Sequence, residues 1–156
     1  MLDVTTLKWI HILSSTVLFG TGLGTAFHGL ATNLRGDLRA IAAGNKNVVL
    51  ADWIFTTPAV ILQPLTGVAL MIDEGWPYDT PWIVASIALY IFVGCCWLPV
   101  VWLQMRMARI ADESLASGAP LPPLYKRYFW WWFALGWPAF ISMLGIFWLM
   151  VAKPQF

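Results

Sequence analysis

Four long apolar runs, at 7–31, 48–72, 81–105 and 128–152, alternate with three polar stretches at 32–47, 73–80 and 106–127. Each run exceeds the roughly 20 residues that carry a helix across a bilayer at about 1.5 Å per residue. Similar lengths and short outer connections predict an all-α fold, an integral membrane four-helix bundle with up-down-up-down topology. They also predict one transmembrane domain over 1–156. The third helix is expected to continue beyond the membrane to about residue 117, with Gly118 as its stop. Pro120, Pro122 and Pro123 are expected to hold off the next helix until Tyr125. A short interfacial helix over 34–43 is expected in the first connection, ended by Gly44. Arg35, Gly36 and Asp37 there spell an adhesion motif, which we read as chance.

Composition agrees with the pattern. The chain is 60% hydrophobic and 11% charged, against about 25% charged in a soluble domain. A chain of this size cannot bury so much apolar surface in water. A net charge of +1 with no basic face argues against nucleic acid as a partner. Cys95 and Cys96 are adjacent, a spacing that rarely bridges, so no disulfide framework is implied. Asp3 before Lys8 and the length of the first run argue against a cleavable signal peptide.

Seven of the nine lysines and arginines lie in the first and third connections (Arg35, Arg39, Lys46, Arg106, Arg109, Lys126, Arg127); Lys8 and Lys153 lie at the other end. The second connection is acidic, with Asp73, Glu74 and Asp79. The asymmetry predicts both termini outside and the basic connections in the cytoplasm. Trp76, Tyr78 and Trp82 mark one interface, and Trp130, Trp131 and Trp132 the other.

Polar residues inside the apolar runs carry the candidate chemistry, since ionisable groups in membranes are rare and usually functional. His11 and His28 share the first run but stand 17 residues apart, about 25 Å in height, so they cannot hold one metal or haem between them. Small residues on the His11 stripe, Ser15, Gly22 and Ala26, leave room for a flat ligand such as a porphyrin. The alternative is a packing histidine bonded to a neighbouring helix. Met71 and Met150 lie at its height and are candidates for a second axial position. Gly20 and Gly24 form a small-xxx-small pair expected to pack on another helix. In the second run Gln63 must find a partner in the bundle, either as glue or as a substrate contact. Asp52 lies about one turn inside the cytoplasmic edge, near the height of His28. Pro58 and Pro64 free the carbonyls of Ile54 and Val60, which need new partners.

The segments LKWIHILSSTVLFGTGLGTAF (7–27), PAVILQPLTG (58–67), LPVVWLQMRM (98–107) and LGWPAF (135–140) resemble a family of uncharacterised bacterial integral membrane proteins, a domain of unknown function numbered 2269. The resemblance spans nearly the whole chain, implies the bacterial inner membrane, and carries no activity. More distantly, Lys8, His11 and Gly20 or Gly22 are similar to the first helix of HemJ-type protoporphyrinogen oxidases and CopD-like copper-tolerance proteins. That similarity implies a b-type haem with His11 as ligand; the membrane lysine of the HemJ third segment has no counterpart here. Three functions follow as expectations: a haem- or porphyrin-binding redox protein through His11, a small-solute or metal-ion transporter, or an accessory subunit of a larger complex. Whether the protein is an enzyme stays open. A lipid bilayer and either a second copy or a membrane partner protein are the expected surroundings.

Overall fold

The computed structural model describes residues 3–154. The first helix, α1, covers Val4–Arg35. Asp3 caps its start: one carboxylate oxygen accepts the Thr6 N–H at 3.0 Å and the other the Thr6 hydroxyl at 2.7 Å. Its last residue is Arg35, and Gly36 closes it with φ of 72°, in the left-handed region that favours glycine. Asp37 then caps α2, Leu38–Ala51, by accepting the Ala40 N–H at 3.0 Å. Arg35-Gly36-Asp37 is therefore punctuation between two helices: a last helical residue, a C-cap and an N-cap.

A π-helical turn, Asp52–Thr56, joins α2 to α3, Thr57–Asp73, so that Leu38–Asp73 forms one rod. Pro58 explains the turn. It lacks an N–H, and its ring would clash with the carbonyl four residues back. Widening the helix relieves both, and the Thr57 N–H reaches back five residues to the Asp52 carbonyl. After the connection 74–80, α4 covers Pro81–Ser117 and ends on Gly118, as expected. The last helix, α5, covers Pro123–Ala152.

Two expectations about helix ends need correction. Gly44 does not stop a helix; it lies buried inside α2. A Cβ there would sit 3.0 Å from the Thr32 hydroxyl, so this glycine lets α1 and α2 approach closely. Pro123 does not delay α5 to residue 125. It opens the helix, because a first-turn N–H has no partner within the helix and is no loss.

The helices pack as two antiparallel pairs, α1 against the α2–α3 rod and α4 against α5, tied together by α2 on α4. The end that carries the 36–37 and 118–122 connections is here called the basic end; the opposite one is the terminal end. At the basic end Ile41, Ala42, Leu103, Met107, Ala111, Tyr125, Phe129 and Trp132 form the largest cluster. Tyr125 stitches it: its hydroxyl accepts from Asn45 and donates to Asn33, both at 2.9 Å. Lys46 pairs with Asp112 at 2.9 Å across α2 and α4. Leu18, Ala59 and Met143 hold the middle, and Trp82, Ile83 and Leu149 the terminal end.

Proline 64 leaves the Val60 carbonyl without its helical donor, and the Tyr90 hydroxyl of α4 supplies one. The outside of the bundle is apolar: Trp9, Phe27 and Trp148 are 62%, 71% and 59% exposed. All four long helices are apolar and long enough to span a membrane. Side chains of this kind facing outward match a lipid solvent and not water. The protein is an integral membrane protein with an all-α four-helix bundle.

Candidate functional site

Two polar centres lie in the bundle. The first is at the α1–α3 seam toward the terminal end. Gln63 donates from Nε2 to the His11 carbonyl at 2.7 Å and to the Ser14 hydroxyl at 2.6 Å. The Ser14 hydroxyl donates in turn to the His11 carbonyl at 3.1 Å. Gln63 is thus glue between two helices. The His11 ring faces α3: Nδ1 lies 2.8 Å from the Thr66 hydroxyl, and Cε1 lies 3.3 Å from where a Gly67 Cβ would stand. Glycine at 67 is what admits the imidazole.

The Thr66 hydroxyl lies 2.7 Å from the Leu62 carbonyl, 3.2 Å from the Gln63 carbonyl and 2.8 Å from His11 Nδ1. When its single proton goes to a carbonyl, Nδ1 carries the ring hydrogen and Nε2 keeps a free lone pair. This is the arrangement in which a second group orients a ligating histidine. One turn further out, Lys8 pairs with Glu74, whose other carboxylate oxygen accepts the Trp76 indole N–H at 2.9 Å. These two contacts, Lys8 first, hold the Glu74 carboxyl below the usual carboxylate range.

Met71 and Met150 come together at the terminal end, both packed on the cluster of Trp82, Ile83 and Leu149. Of the small residues on the His11 stripe, Ser15 bonds its own helix at the Ile12 carbonyl, Gly22 is exposed with nothing within 4 Å of where a Cβ would stand, and Ala26 packs on the basic-end cluster. Two open grooves hold about 270 and 220 Å³. Both are smaller than the 300–1,000 Å³ or so of typical small-molecule sites, and neither is lined by His11, Met71 or Met150. Among the described residues no three His, Cys, Asp or Glu side chains converge.

The second centre lies at the π turn. Asp52, Thr56 and Gln104 are 5%, 4% and 4% exposed. One Asp52 oxygen, Oδ1, accepts the Thr56 hydroxyl at 2.8 Å, and the Gln104 side chain of α4 lies beside the same carboxyl. Two acceptors here, Asp52 Oδ2 and Gln104 Oε1, are buried without any partner among the described residues. Buried polar atoms in native proteins are almost always satisfied, and an exception calls for an explanation such as a water, a bound ion or a proton. His28 does not join this centre. It is exposed in the smaller groove, beside Gly24, Thr25, Asn47, Val48 and Ala51.

Pairing of Asp52 with Gln104 escaped the sequence reading. The four-residue step from Asp52 to Thr56 was visible, and Gln104 stands at the same end of its own run. Which faces they present depends on the π turn, which shifts the helical register. Gly20 and Gly24 correct a further expectation: a Cβ at either would meet nothing within 4 Å. Both glycines are exposed, and Gly24 borders the open groove between α1 and α2 without packing on α2.

The chain belongs to the DUF2269 family of predicted integral membrane proteins, whose family model matches residues 5–154. No curated protein and no solved structure matches it.

Proposed function

We propose that this protein is a small membrane transport or coupling component that works through the Asp52–Thr56–Gln104 centre, binding a proton or a small cation there. The observation that carries this reading is the pair of buried acceptors left without a donor. An acidic side chain in a membrane segment is expensive and marks an ion or proton path by default. The surrounding backbone supports it: Pro64, Pro99 and Pro138 interrupt three of the four long helices, and the π turn adjoins Asp52. Four helices enclose little space, and the open Gly20–Gly24 face suits a second copy or a membrane partner protein. The lysine and arginine asymmetry supports a bacterial inner-membrane protein with both termini outside. Reporter fusions after Gly75 should behave as external and after Gly118 as cytoplasmic.

The test is flux in proteoliposomes, with an internal pH dye and imposed proton, sodium or potassium gradients. The expected result is a flux that Asp52→Asn abolishes. Equal traces from wild type, Asp52→Asn and empty vesicles would sink the transport reading and favour an accessory subunit, identified by its co-purifying partner.

A second reading keeps His11, because its Nε2 is free. A metal ion or haem iron on that nitrogen would take its other ligands from a second copy or a partner. A haem absorption band in protein purified from haem-replete cells, lost in His11→Ala and kept in His28→Ala, is the expected signature. Equal haem retention in the two variants would reduce His11 to a packing residue.

A further inference from the structure

The ligand of the π-turn centre can be narrowed by counting donors and acceptors. Asp52 Oδ1 already has the Thr56 hydroxyl. What remains is two buried acceptors, Asp52 Oδ2 and Gln104 Oε1, neither with a donor in hydrogen-bond reach among the described residues. We infer that this centre binds a proton, held on the Asp52 carboxyl and shared with Gln104, and that it does not bind a metal cation. The inference rests on the reading of this centre given above and specifies its ligand.

One proton resolves both orphans. It turns Asp52 Oδ2 from an acceptor into a donor, and Gln104 Oε1 then receives it. The proton leaves the site as it came, from and to water, and no bond other than O–H changes. A metal cation fits less well. Hard cations take about six or more oxygen ligands, and this centre has one carboxyl, one amide and one hydroxyl. Among the described residues no fixed positive charge stands against the carboxyl. The titratable groups on the packed elements are committed or turned elsewhere: Lys46 of α2 to Asp112, Arg106 of α4 over the half-exposed Trp102 ring, His28 of α1 in its exposed groove. Cys96 is buried two turns along α4 from Gln104. An ionised carboxylate left alone in such surroundings gives way to the neutral acid.

The composition makes the inference measurable. Of eight Asp and Glu side chains, Asp52 alone is buried; Glu74 and Asp112 are paired with lysines and the other five are exposed. A protonated-carboxyl stretch in the infrared spectrum at neutral pH can therefore come only from Asp52. The full chain in lipid vesicles should show one such band, absent in Asp52→Asn. Gln104→Leu should keep the band and shift it, because the acid loses its acceptor. Wild type and Asp52→Asn should melt at the same temperature in sodium, potassium and choline chloride. Absence of the band in wild type at neutral pH would overturn the inference; the Gln104 amide would then present its nitrogen to an ionised carboxylate. Melting raised by sodium or potassium over choline, and lost in Asp52→Asn, would assign a metal cation instead. The band and the flux separate the two claims. A band without flux removes transport and leaves the proton site; flux without the band does the reverse.

Discussion

The two polar centres of this bundle use similar parts and end in opposite states. Each has a glutamine, a threonine and an ionisable residue at a helix seam. At the terminal end Gln63 finds a carbonyl and a hydroxyl, Thr66 finds the Leu62 carbonyl and the His11 ring, and no buried side-chain oxygen or nitrogen of Ser14, Gln63 or Thr66 lacks a partner. At the π turn Gln104 and Asp52 each keep an orphaned acceptor. The first centre fastens α1 to α3. The second keeps two buried acceptors unpaired among the described residues. In hydrocarbon, where water cannot make up the difference, a closed network is structural and an incomplete one points to a ligand.

This contrast can be broken at several points. The largest effect is expected at Gly67. Leucine there would drive into the His11 ring, and overpacking of this kind costs about 1–3 kcal/mol. Detergent melts followed by circular dichroism should show the loss, while Gly20→Leu, on the open face, should leave the melt unchanged. Unaltered stability of Gly67→Leu would mean that His11 can leave the seam freely. Gln63→Leu comes next. It removes two donated bonds and leaves the Ser14 hydroxyl only its bond to the His11 carbonyl, at a cost of about 1–2 kcal/mol, toward the low end if the membrane reference state re-pairs the groups. A variant as stable as wild type would show that the terminal centre is not glue.

A smaller effect is expected from the Lys8–Glu74 pair. The Glu74 carboxyl is held below its unfolded value, so its contribution is present above the ordinary carboxylate range and is lost as pH falls through the folded value. Lys8 is half exposed, which limits the contribution to about 0.2–1 kcal/mol. Lys8→Met should flatten the acid limb of the stability profile; an unchanged limb would assign it to other carboxyls. The smallest change is expected from Asp52→Asn. The added amide supplies the donor that the site lacks, and stability should stay within about 0.5 kcal/mol of wild type. A loss as large as that of Gln63→Leu would place the Asp52 centre with the structural one.

Much of this was written in the sequence by solvent alone. Four runs of 25 apolar residues can only be helices in lipid, because each backbone N–H and C=O must be satisfied within its own segment. Gly118 as a helix stop followed from the left-handed conformation that glycine tolerates. The need of the Val60 carbonyl for a new donor followed from Pro64. Tertiary structure decided who answers. Tyr90 serves Val60, Thr66 meets the His11 ring, and Gly44 and Gly67 admit neighbouring side chains, Gly44 where a helix stop was expected. Tertiary structure also turned Gly20 and Gly24 outward and brought Asp52 to Gln104. The reason is rotational. A run of apolar residues fixes the length of a helix, but its moment about the axis is weak when lipid and core are equally apolar. A single π turn then shifts the register of every face that follows. Which polar atoms meet is therefore settled only when the helices are packed, and with it which of them are left waiting for a proton.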